Sequence, residues 1–428
     1  MSALRTLIGD APGSPELPID RLHAIWDRGD WAALVSRALL PEWRQAATPP
    51  GQLDPLQRLP EGPGVPAGPG VVVGSGGSRG ARRWCLQPLR HLEGSAGATA
   101  AWLRLQGLNP RDVCHLTPLP LHHLSGLMPW VRARSWGARC VRVPPALLRQ
   151  PDALAEGLPA LPPADDRPRL ISLVPTQLQW LLADPAGVRW LQGMAVIWVG
   201  GAALLPGQAE AARRHGMRLA PCYGATETAA MVCALPPERF LAGAPGCGAA
   251  LADVALRLAP GTGAIEVACA RLSPGWLQQG RFHRLAAGDG WWRSGDSGRL
   301  GPEGLEVLGR LDDAITSGGE TVFPGRVDQR LRELAACVAL PLADLLLLPT
   351  PDPLWGTQLV ALVRPADGCG DSIARQALLD GLRHLSERLP AAERPRHWAL
   401  CPELAPSESG KWERSRWQGW WQRHRPPP

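Results

Sequence analysis

Lys411 and Tyr223, each the only residue of its type in this chain, both lie in polar loops. Lys411 is the only lysine, within S-E-S-G-K-W-E-R, and Tyr223 is the only tyrosine, within P-C-Y-G-A-T-E-T. Lysine and arginine together number 45, so the other 44 of these cationic side chains are arginine. A compact ammonium on a flexible stem can stabilise charge that develops between two anions, whereas the planar guanidinium has a different shape. A stray surface lysine near the tail is the alternative interpretation of Lys411.

A loop rich in glycine and serine follows the apolar run V-V-V-G. In V-V-V-G-S-G-G-S-R-G-A-R-R, backbone N–H groups and hydroxyls can receive a phosphate chain, although no G-K-[ST] sequence follows. The same loop satisfies the G-x-S-x-G pattern of a serine hydrolase, with Ser78 as the nucleophile. A plain flexible turn is the third interpretation, and the loop alone does not decide among them.

The stretch Y-G-A-T-E-T places a carboxylate beside a hydroxyl directly after an apolar strand. Thr226 and Glu227 in such a position can hold Mg²⁺ against a nucleotide phosphate. The alternative is a helix N-terminus, with Thr226 or Thr228 as the capping residue and Glu227 in the first turn.

Two later loops carry weaker signals. In W-W-R-S-G-D-S-G-R-L, Asp296 can accept hydrogen bonds from ribose hydroxyls, or it can belong to an ordinary hairpin turn. In G-R-L-D-D-A-I-T-S-G-G-E, Arg310 can reach the same ribose, and Gly318 and Gly319 allow close approach to a ligand.

Alternating strands and helices must position these loops. Apolar runs at V-V-V-G, 169–175, M-A-V-I-W-V and M-R-L-A-P-C-Y predict strands, and segments such as 177–182 predict the helices between them. This alternation predicts parallel α/β layers. Helical spacing of apolar residues predicts a further helix over residues 20–40.

Shorter strands and turns begin near residue 245. They predict an antiparallel β subdomain over 245–310, followed by a smaller mixed module that ends in a Trp-rich helix. The predicted fold class is therefore α/β. A large domain over 1–311 would contain layered sheets and the β subdomain, and a small mobile α+β domain would cover 312–428.

Composition excludes several functional classes. The 428 residues are 45% hydrophobic and 20% charged, as in soluble globular proteins, and no apolar run is long enough to span a membrane. The net charge of +6 comes from dispersed arginines, so nucleic acid is not an expected partner. Ten cysteines without metal-ligand spacing predict reduced thiols and no zinc site. With no leader pattern at the front, we expect a cytoplasmic protein.

Taken in order, these loops resemble the motifs of the adenylate-forming superfamily, which includes acyl-CoA synthetases, nonribosomal-peptide adenylation domains and luciferases. The matches span residues 70–415 and are S-G-G-S-R-G-A-R-R, P-L-H-H-L-S-G-L, V-G-G-A-A-L, Y-G-A-T-E, S-G-D, G-R-L-D-D-A-I-T-S-G-G-E and S-G-K. The resemblance implies an ATP- and Mg²⁺-dependent ligase that forms an acyl-adenylate and then a coenzyme A thioester. It disfavours the hydrolase, because no His/Asp pair with hydrolase spacing follows Ser78.

The resemblance assigns phosphate binding to the first loop, through Ser75, Gly76, Gly77, Ser78 and Gly80. Arg79 stands where the family has a second hydroxyl residue, and Arg83 stands where it has lysine. Arg83 can still neutralise phosphate charge.

Nucleoside and metal contacts follow from the later motifs. By the resemblance, Tyr223 and the adjacent Gly224 would contact adenine, Thr226 would touch the α-phosphate, and Glu227 would ligate Mg²⁺. The ribose would be bound by Asp296 and Arg310.

The resemblance makes Lys411 the catalytic residue of adenylation, bridging the attacking carboxylate and the α-phosphate. His123 would be the gate residue of the acyl pocket, and His122 would pack beside it or face solvent. Asp312 would be the hinge about which the small domain rotates between the two half-reactions. This rotation would bring the loop of Gly318, Gly319 and Glu320 beside the pantetheine channel.

The acid is suggested by S-L-V-P-T-Q-L-Q-W-L-L, which resembles the o-succinylbenzoate–CoA ligases of menaquinone and phylloquinone biosynthesis. Thr176 and Gln177 would contact an aromatic dicarboxylate, above a floor that includes Gly200 and Gly201. A helix N-cap after Pro175 is the alternative for Thr176. A basic group must also hold the non-reacting carboxylate, and the sequence does not choose among the arginines.

Other functions remain open at this point. They are another aryl or acyl-CoA ligase, a stand-alone adenylation domain, a serine hydrolase that uses Ser78, and a non-catalytic nucleotide-binding relative.

Overall fold

The computed structural model describes residues 2–9, 18–75, 82–155, 166–286, 288–369, 371–405 and 412–425. They fold into two compact units. The first comprises Met1–Ser294 and Gly298–Val307, and the second comprises Gly295–Ser297 and Leu308–Pro428. The units divide between Val307 and Leu308, shortly before the boundary proposed from the sequence between residues 311 and 312.

Strands occur in both units. In chain order they are β1 Leu4–Ile8, β2 Trp31–Val35, β3 Gly70–Gly74, β4 Trp84–Pro88, β5 Cys114–Thr117, β6 Arg139–Arg142, β7 Arg169–Leu173, β8 Met194–Val199, β9 Leu219–Ala225, β10 Ala230–Ala234, β11 Val254–Leu258, β12 Ala264–Cys269, β13 Gly275–Gln278, β14 Arg281–Arg284, β15 Trp292–Gly301, β16 Gly304–Arg310, β17 Ile315–Ser317, β18 Glu320–Val322, β19 Leu342–Asp352, β20 Gly356–Pro365 and β21 His397–Leu400.

Many of the helices begin with proline, whose fixed φ favours the first helical position. The helices are α1 Pro18–Asp27, α2 Leu40–Ala47, α3 Leu89–Leu105, α4 Leu124–Trp136, α5 Pro151–Ala155, α6 Pro175–Leu182, α7 Pro185–Gln192, α8 Pro206–Arg214, α9 Pro237–Leu241, α10 Pro324–Cys337, α11 Ser372–Ser386 and α12 Arg414–His424. Among the residues that the structure describes, no helix has the length and apolar character needed to cross a membrane.

The central sheet of the first unit has the strand order β10-β9-β8-β7-β5-β6. Five of these strands are parallel, and β10 pairs antiparallel with β9. Alternate residues of β8 enter different cores: Val196 and Trp198 pack with α3 and α4, whereas Ile197 and Val199 pack with α6 and α8. Both faces of the sheet are buried, which explains the unbroken apolar run and confirms the predicted α/β layers.

The parallel strands fix where the polar loops lie. Their carboxyl ends share one edge of the sheet, so the loops that follow β5, β7, β8 and β9 also lie at this edge. In open α/β sheets, ligands bind in the crevice outside this edge.

A second sheet in the first unit has the order β1-β2-β3-β4-β13-β14. The helix predicted over residues 20–40 is wrong in its second half, because α1 ends at Asp27 and the fully buried strand β2 follows. Gly29, with a φ of 79°, makes the turn that a continued helix would not allow.

The predicted β subdomain is smaller than its sequence range. β11, β12, β15 and β16 form a four-stranded sheet, whereas the β13–β14 hairpin joins the second sheet through β4. Backbone pairing of Trp276 and Leu277 with Cys85 and Trp84 makes this connection, which local composition does not reveal.

The second unit is built around a sheet with the order β18-β17-β20-β19, in which β21 also pairs with β20. Alternate residues of β19 again divide between two cores. Leu345 and Leu347 pack with α10 and α11, whereas Leu346 and Leu348 pack with Trp417 and its neighbours on α12. The predicted Trp-rich helix is α12, and the unit is α+β as predicted.

Candidate active site

The Y-G-A-T-E-T stretch forms the tight connection between the antiparallel strands β9 and β10. Thr228 closes the turn: its Oγ1 lies 2.9 Å from the Ala225 nitrogen, which donates to it, and 2.7 Å from the Ala230 carbonyl, to which it donates. No helix begins here, so the helix-cap interpretation of Thr226 and Thr228 is wrong. The threonine hydroxyl stabilises a β-turn instead.

The turn offers oxygen ligands of the kind that Mg²⁺ prefers. Glu227 is buried and Thr226 is half-buried. In the described part of the chain, no group of three His, Cys, Asp or Glu side chains can hold a metal ion. A single carboxylate beside a hydroxyl fits Mg²⁺ that arrives with nucleotide phosphates, which supply most of its ligands.

Tyr223 and Gly224 lie on β9 directly before this turn. Tyr223 is half-buried and packs against the core of the β subdomain. A Cβ on Gly224 would lie 2.3 Å from the Ala230 carbonyl oxygen, so the hairpin requires glycine there. Gly224 therefore has a packing role in addition to the adenine contact that we predict for it.

Gly200 and Gly201 follow β8, the strand beside β9. A Cβ on Gly200 would lie 2.9 Å from the Cys222 sulfur, and Gly201 has a φ of 79°. The two glycines keep this part of the sheet edge open next to Tyr223. Their predicted place at the floor of the acyl pocket remains a prediction.

Thr176 and Gln177 follow β7 at the same edge. Helix α6 begins at Pro175 with Val174 in the N-cap position, so the N-cap interpretation of Thr176 is wrong, and Thr176 is exposed in the first turn. Gln177 is buried, and its Oε1 accepts a hydrogen bond from the Val174 nitrogen at 3.3 Å. Gln177 thus caps the helix, a role that the sequence did not suggest.

His123 occupies the N-cap position of α4, after the loop that follows β5. Its ring lies 4.5 Å from that of His122, measured between ring centroids. His123 is exposed at the surface, yet partial desolvation of its ring, followed by the charges of His122 and Arg82, lowers its pKa to about 4. The imidazole is therefore neutral near pH 7.

A buried arginine is the main feature that sequence reasoning missed. Arg132 lies on α4 with 3% of its surface exposed, and its guanidinium carbon is 4.9 Å from the centroid of the Trp198 ring. Its Nε has no hydrogen-bond partner among the described residues. Burial, followed by the nearby charge of Arg271, lowers the pKa of Arg132 to about 10.

Two buried polar atoms near Arg132, His115 Nε2 and Trp198 Nε1, lack partners among the described residues, and so does Thr117 Oγ1, two residues after His115 on β5. The His115 ring stacks on Trp198 with centroids 6.4 Å apart, and burial and then the Arg132 charge lower the pKa of His115 to about 3. Trp198 and Cys222 lie on the strands that lead into Gly200 and Tyr223. We call these four residues, Arg132, His115, Thr117 and Trp198, the Arg132 cluster. Buried polar groups without partners are uncommon in folded proteins, and such a cluster suits a polar ligand.

The second unit holds the predicted ribose and hinge residues. Arg310 Nη1 lies 3.5 Å from Asp296 Oδ1, and Arg310 Nη2 lies 3.4 Å from Asp312 Oδ2. Asp296 lies within strand β15, so the hairpin-turn interpretation is wrong. The structure brings these three side chains together, and their roles remain predictions.

Gly318 and Gly319 form the turn between β17 and β18, and Glu320 begins β18. A Cβ on Gly318 would lie 2.5 Å from the Trp355 ring. The loop is therefore tightly packed on one side, while Glu320 is exposed.

Only the two ends of the first loop are described. Ser75 is buried and its backbone nitrogen donates to the Arg83 carbonyl at 2.7 Å, while the exposed Arg83 side chain stacks over Trp276 at 5.0 Å. The predicted residues outside the described ranges are Gly76, Gly77, Ser78, Gly80 and Lys411.

Comparisons with known proteins bear on this arrangement. Residues 88–265 match the model of the AMP-binding enzyme family. The chain is 26% identical over 345 residues to the 2-succinylbenzoate–CoA ligase of Enterococcus faecalis, which covers 78% of this chain and 66% of that protein. It is 30% identical over 268 residues to the indoleacetate–CoA ligase of Aromatoleum aromaticum. This match covers 59% of this chain and 49% of that protein. The chain thus spans 49% to 66% of the length of these relatives.

Solved structures share the fold. A structure of wild-type E. coli MenE, with a bound m-phenylether-linked analogue of OSB-AMS, superposes with a TM-score of 0.68. The superposition covers 99% of this chain and 89% of the MenE chain, with 24% sequence identity. At this identity, the likeness establishes the fold alone.

Proposed function

We propose that this chain, of which residues 88–265 match the AMP-binding enzyme family, is an ATP-dependent ligase that joins a carboxylic acid to coenzyme A. The acid in this proposal is o-succinylbenzoate, and the product is o-succinylbenzoyl-CoA for quinone biosynthesis. Similar proteins named 2-succinylbenzoate–CoA ligase support this choice of acid.

The observation that carries the proposal is the buried Arg132. A cation that is removed from water without an anionic partner is costly, and the pKa of Arg132 leaves it charged near pH 7. o-Succinylbenzoate has two carboxylates, of which one reacts and the other needs a cation. Arg132 supplies that cation beside aromatic surface from Trp198. A fatty acid has no second carboxylate to neutralise it.

Two chemical steps follow from this assignment. The reacting carboxylate attacks the α-phosphorus of MgATP, and pyrophosphate leaves. The thiol of coenzyme A then attacks the acyl carbon, and AMP leaves. Lys411 would stabilise charge in the first step, and Thr226 and Glu227 would orient the α-phosphate and the metal of the substrate. His123, neutral near pH 7, can change position at the acyl pocket without moving a charge.

A cytoplasmic location belongs to the same proposal. All ten cysteines are free thiols, which suits a reducing compartment.

The test is an ATP–pyrophosphate exchange screen over o-succinylbenzoate, simple benzoates and fatty acids. We expect exchange with o-succinylbenzoate. In Arg132→Met, the KM for o-succinylbenzoate should rise at least ~30-fold, because the buried partner of a carboxylate is lost. The KM for ATP should stay within about twofold in the same measurements.

A matched substrate gives the control. An ester analogue that lacks only the non-reacting carboxylate should bind the wild-type protein weakly, and Arg132→Met should weaken it no further. Exchange with a fatty acid but not with o-succinylbenzoate would overturn the choice of acid. If Arg132→Met weakens the binding of o-succinylbenzoate and of the ester analogue equally, Arg132 does not bind the non-reacting carboxylate.

A further inference from the structure

We infer that Gln87 and Arg271 are positioning residues for MgATP, because they hold the Thr226–Thr228 turn by its backbone carbonyls. The inference rests on the proposed function for the identity of the nucleotide. It assigns a task to two buried side chains that the chemistry described above does not use.

Gln87 holds the first carbonyl of the turn. It lies on β4, is fully buried, and its Nε2 donates to the Thr226 carbonyl at 2.6 Å. Its Oε1 has no partner among the described residues. A half-satisfied amide at a fully buried position is unfavourable compared with an apolar side chain, so packing alone does not account for glutamine here.

The next carbonyl, that of Glu227, accepts a hydrogen bond from the Ser273 backbone nitrogen at 2.7 Å. The Ser273 hydroxyl in turn donates to the Leu86 carbonyl at 2.8 Å. Since Leu86 precedes Gln87 on β4, the same strand braces two successive carbonyls of the turn.

Arg271 holds the third carbonyl. It lies between β12 and β13 with 2% of its surface exposed. Nη1 donates to the Thr228 carbonyl, and Nη2 donates to the Met231 carbonyl at 3.0 Å. Nε donates to Asp253 Oδ2 at 2.6 Å, so the guanidinium charge is balanced where it is buried.

Three successive carbonyls of one turn are therefore held by donors from outside the β9–β10 hairpin. Fixing each carbonyl fixes the peptide planes on either side of Thr226 and Glu227, and leaves only side-chain rotation to those two residues. Catalytic groups lose effectiveness steeply when they move by about 1 Å, so the bracing acts on the step in which Mg²⁺ and the α-phosphate are held.

The experiment compares nucleotide binding with and without the metal. Affinities for MgATP and for ATP in EDTA are measured by calorimetry in the absence of any acid, for the wild-type protein and Gln87→Met. We expect Gln87→Met to weaken MgATP binding ~10-fold and to change metal-free ATP binding less than about twofold, since adenine contacts do not involve the turn carbonyls. In the exchange assay, kcat should fall ~10- to 100-fold at an unchanged KM for the acid.

Gln208→Met is the matched control. Gln208 is also a buried glutamine whose Nε2 donates to a carbonyl, that of Pro175, at 3.0 Å. Gln208→Met should lower stability at least as much, because Gln208 Oε1 also accepts from the Leu205 nitrogen, without changing the difference between MgATP and metal-free ATP affinities. Arg271→Lys provides a second test of the turn, with the same selective loss expected, should Gln87→Met fail to fold.

Equal weakening of MgATP and metal-free ATP binding, or no change in either, would overturn the inference. Failure of the proposed function is a different result: the wild-type protein would then catalyse no exchange with any acid in the screen. The binding comparison tests the positioning role in that case as well.

Discussion

Arg132 and Arg271 are both almost completely buried in the first unit, with 3% and 2% of their surfaces exposed. Their surroundings are opposite. Arg271 donates to a carboxylate and to two backbone carbonyls, whereas the Arg132 guanidinium lies against the face of Trp198 and its Nε has no partner among the described residues.

The difference separates a structural cation from a ligand-binding one. A buried guanidinium with saturated donors fixes the backbone around it and has nothing left to offer a ligand. A buried guanidinium without acceptors raises the energy of the unliganded protein, and only an anion from outside can recover that energy. In the proposed function, Arg132 is therefore a substrate-binding residue, whereas Arg271 supports the backbone of the scaffold.

The largest expected effect is on stability. Arg271→Met should lower the free energy of unfolding by about 2–4 kcal/mol, because two backbone carbonyls lose their donor, whereas the exposed Asp253 carboxylate can be hydrated. Arg132→Met should change it by less than ~1 kcal/mol or raise it, because no group is left unpaired. Urea unfolding of both variants without ligand, followed by tryptophan fluorescence, measures the two values.

Arg271→Lys is the control for this contrast, since it keeps a charge beside Asp253 but has fewer donors for the carbonyls. The free energy of unfolding of Arg271→Lys should lie between the values of the wild-type protein and Arg271→Met. If Arg132→Met is the more destabilised of the two methionine variants, the distinction between the arginines is wrong.

A smaller effect concerns the histidine beside Arg132. The pKa of His115 is about 3 in the folded protein and 6.5 as its ordinary value, so between these values the unfolded chain binds the proton. Stability therefore falls as the pH falls from 6.5 towards 3. At pH 5 the contribution of His115 is about 2 kcal/mol less favourable than at pH 7.

His115→Phe should remove the contribution of His115 to the difference in stability between pH 5 and pH 7. The contributions of the other histidines should stay unchanged. The measurement is the free energy of unfolding at pH 5 and pH 7 for both proteins. An unchanged difference between the two pH values would show that His115 titrates normally and is not held neutral beside Arg132.

The smallest expected effect tests the aromatic support of Arg132. Trp198→Leu should raise the KM for o-succinylbenzoate by ~2- to 30-fold, because cation–π contacts contribute about 0.5–2 kcal/mol. Trp291→Leu is the matched control, since Arg257 stacks on Trp291 at 4.0 Å in the β subdomain. Similar increases in both variants would argue against a specific role for Trp198.

Local signals were sufficient for the fold class and for the edge that carries the loops. Apolar runs such as that of β8 are long because both faces of the sheet are buried, so the run itself indicates a parallel layer. The loops after β5, β7, β8 and β9 then share an edge by geometry. The helix over residues 20–40 failed because its second half is a buried strand, and a uniformly apolar stretch has no clear period.

The sequence by itself determined the order of the motifs, the identity of the rare residues Lys411 and Tyr223, and the placement of Thr226 and Glu227 after a parallel strand. Those features depend on residues close together in the chain. Only the tertiary structure decided which arginines are buried. In the described part of the chain, Arg132 Nε has no hydrogen-bond partner, whereas Arg271 Nε donates to Asp253. The hydrogen-bond partners of these arginines come from strands and loops that are distant in sequence. The fold therefore decides whether a buried arginine supports the backbone or is available to bind a ligand.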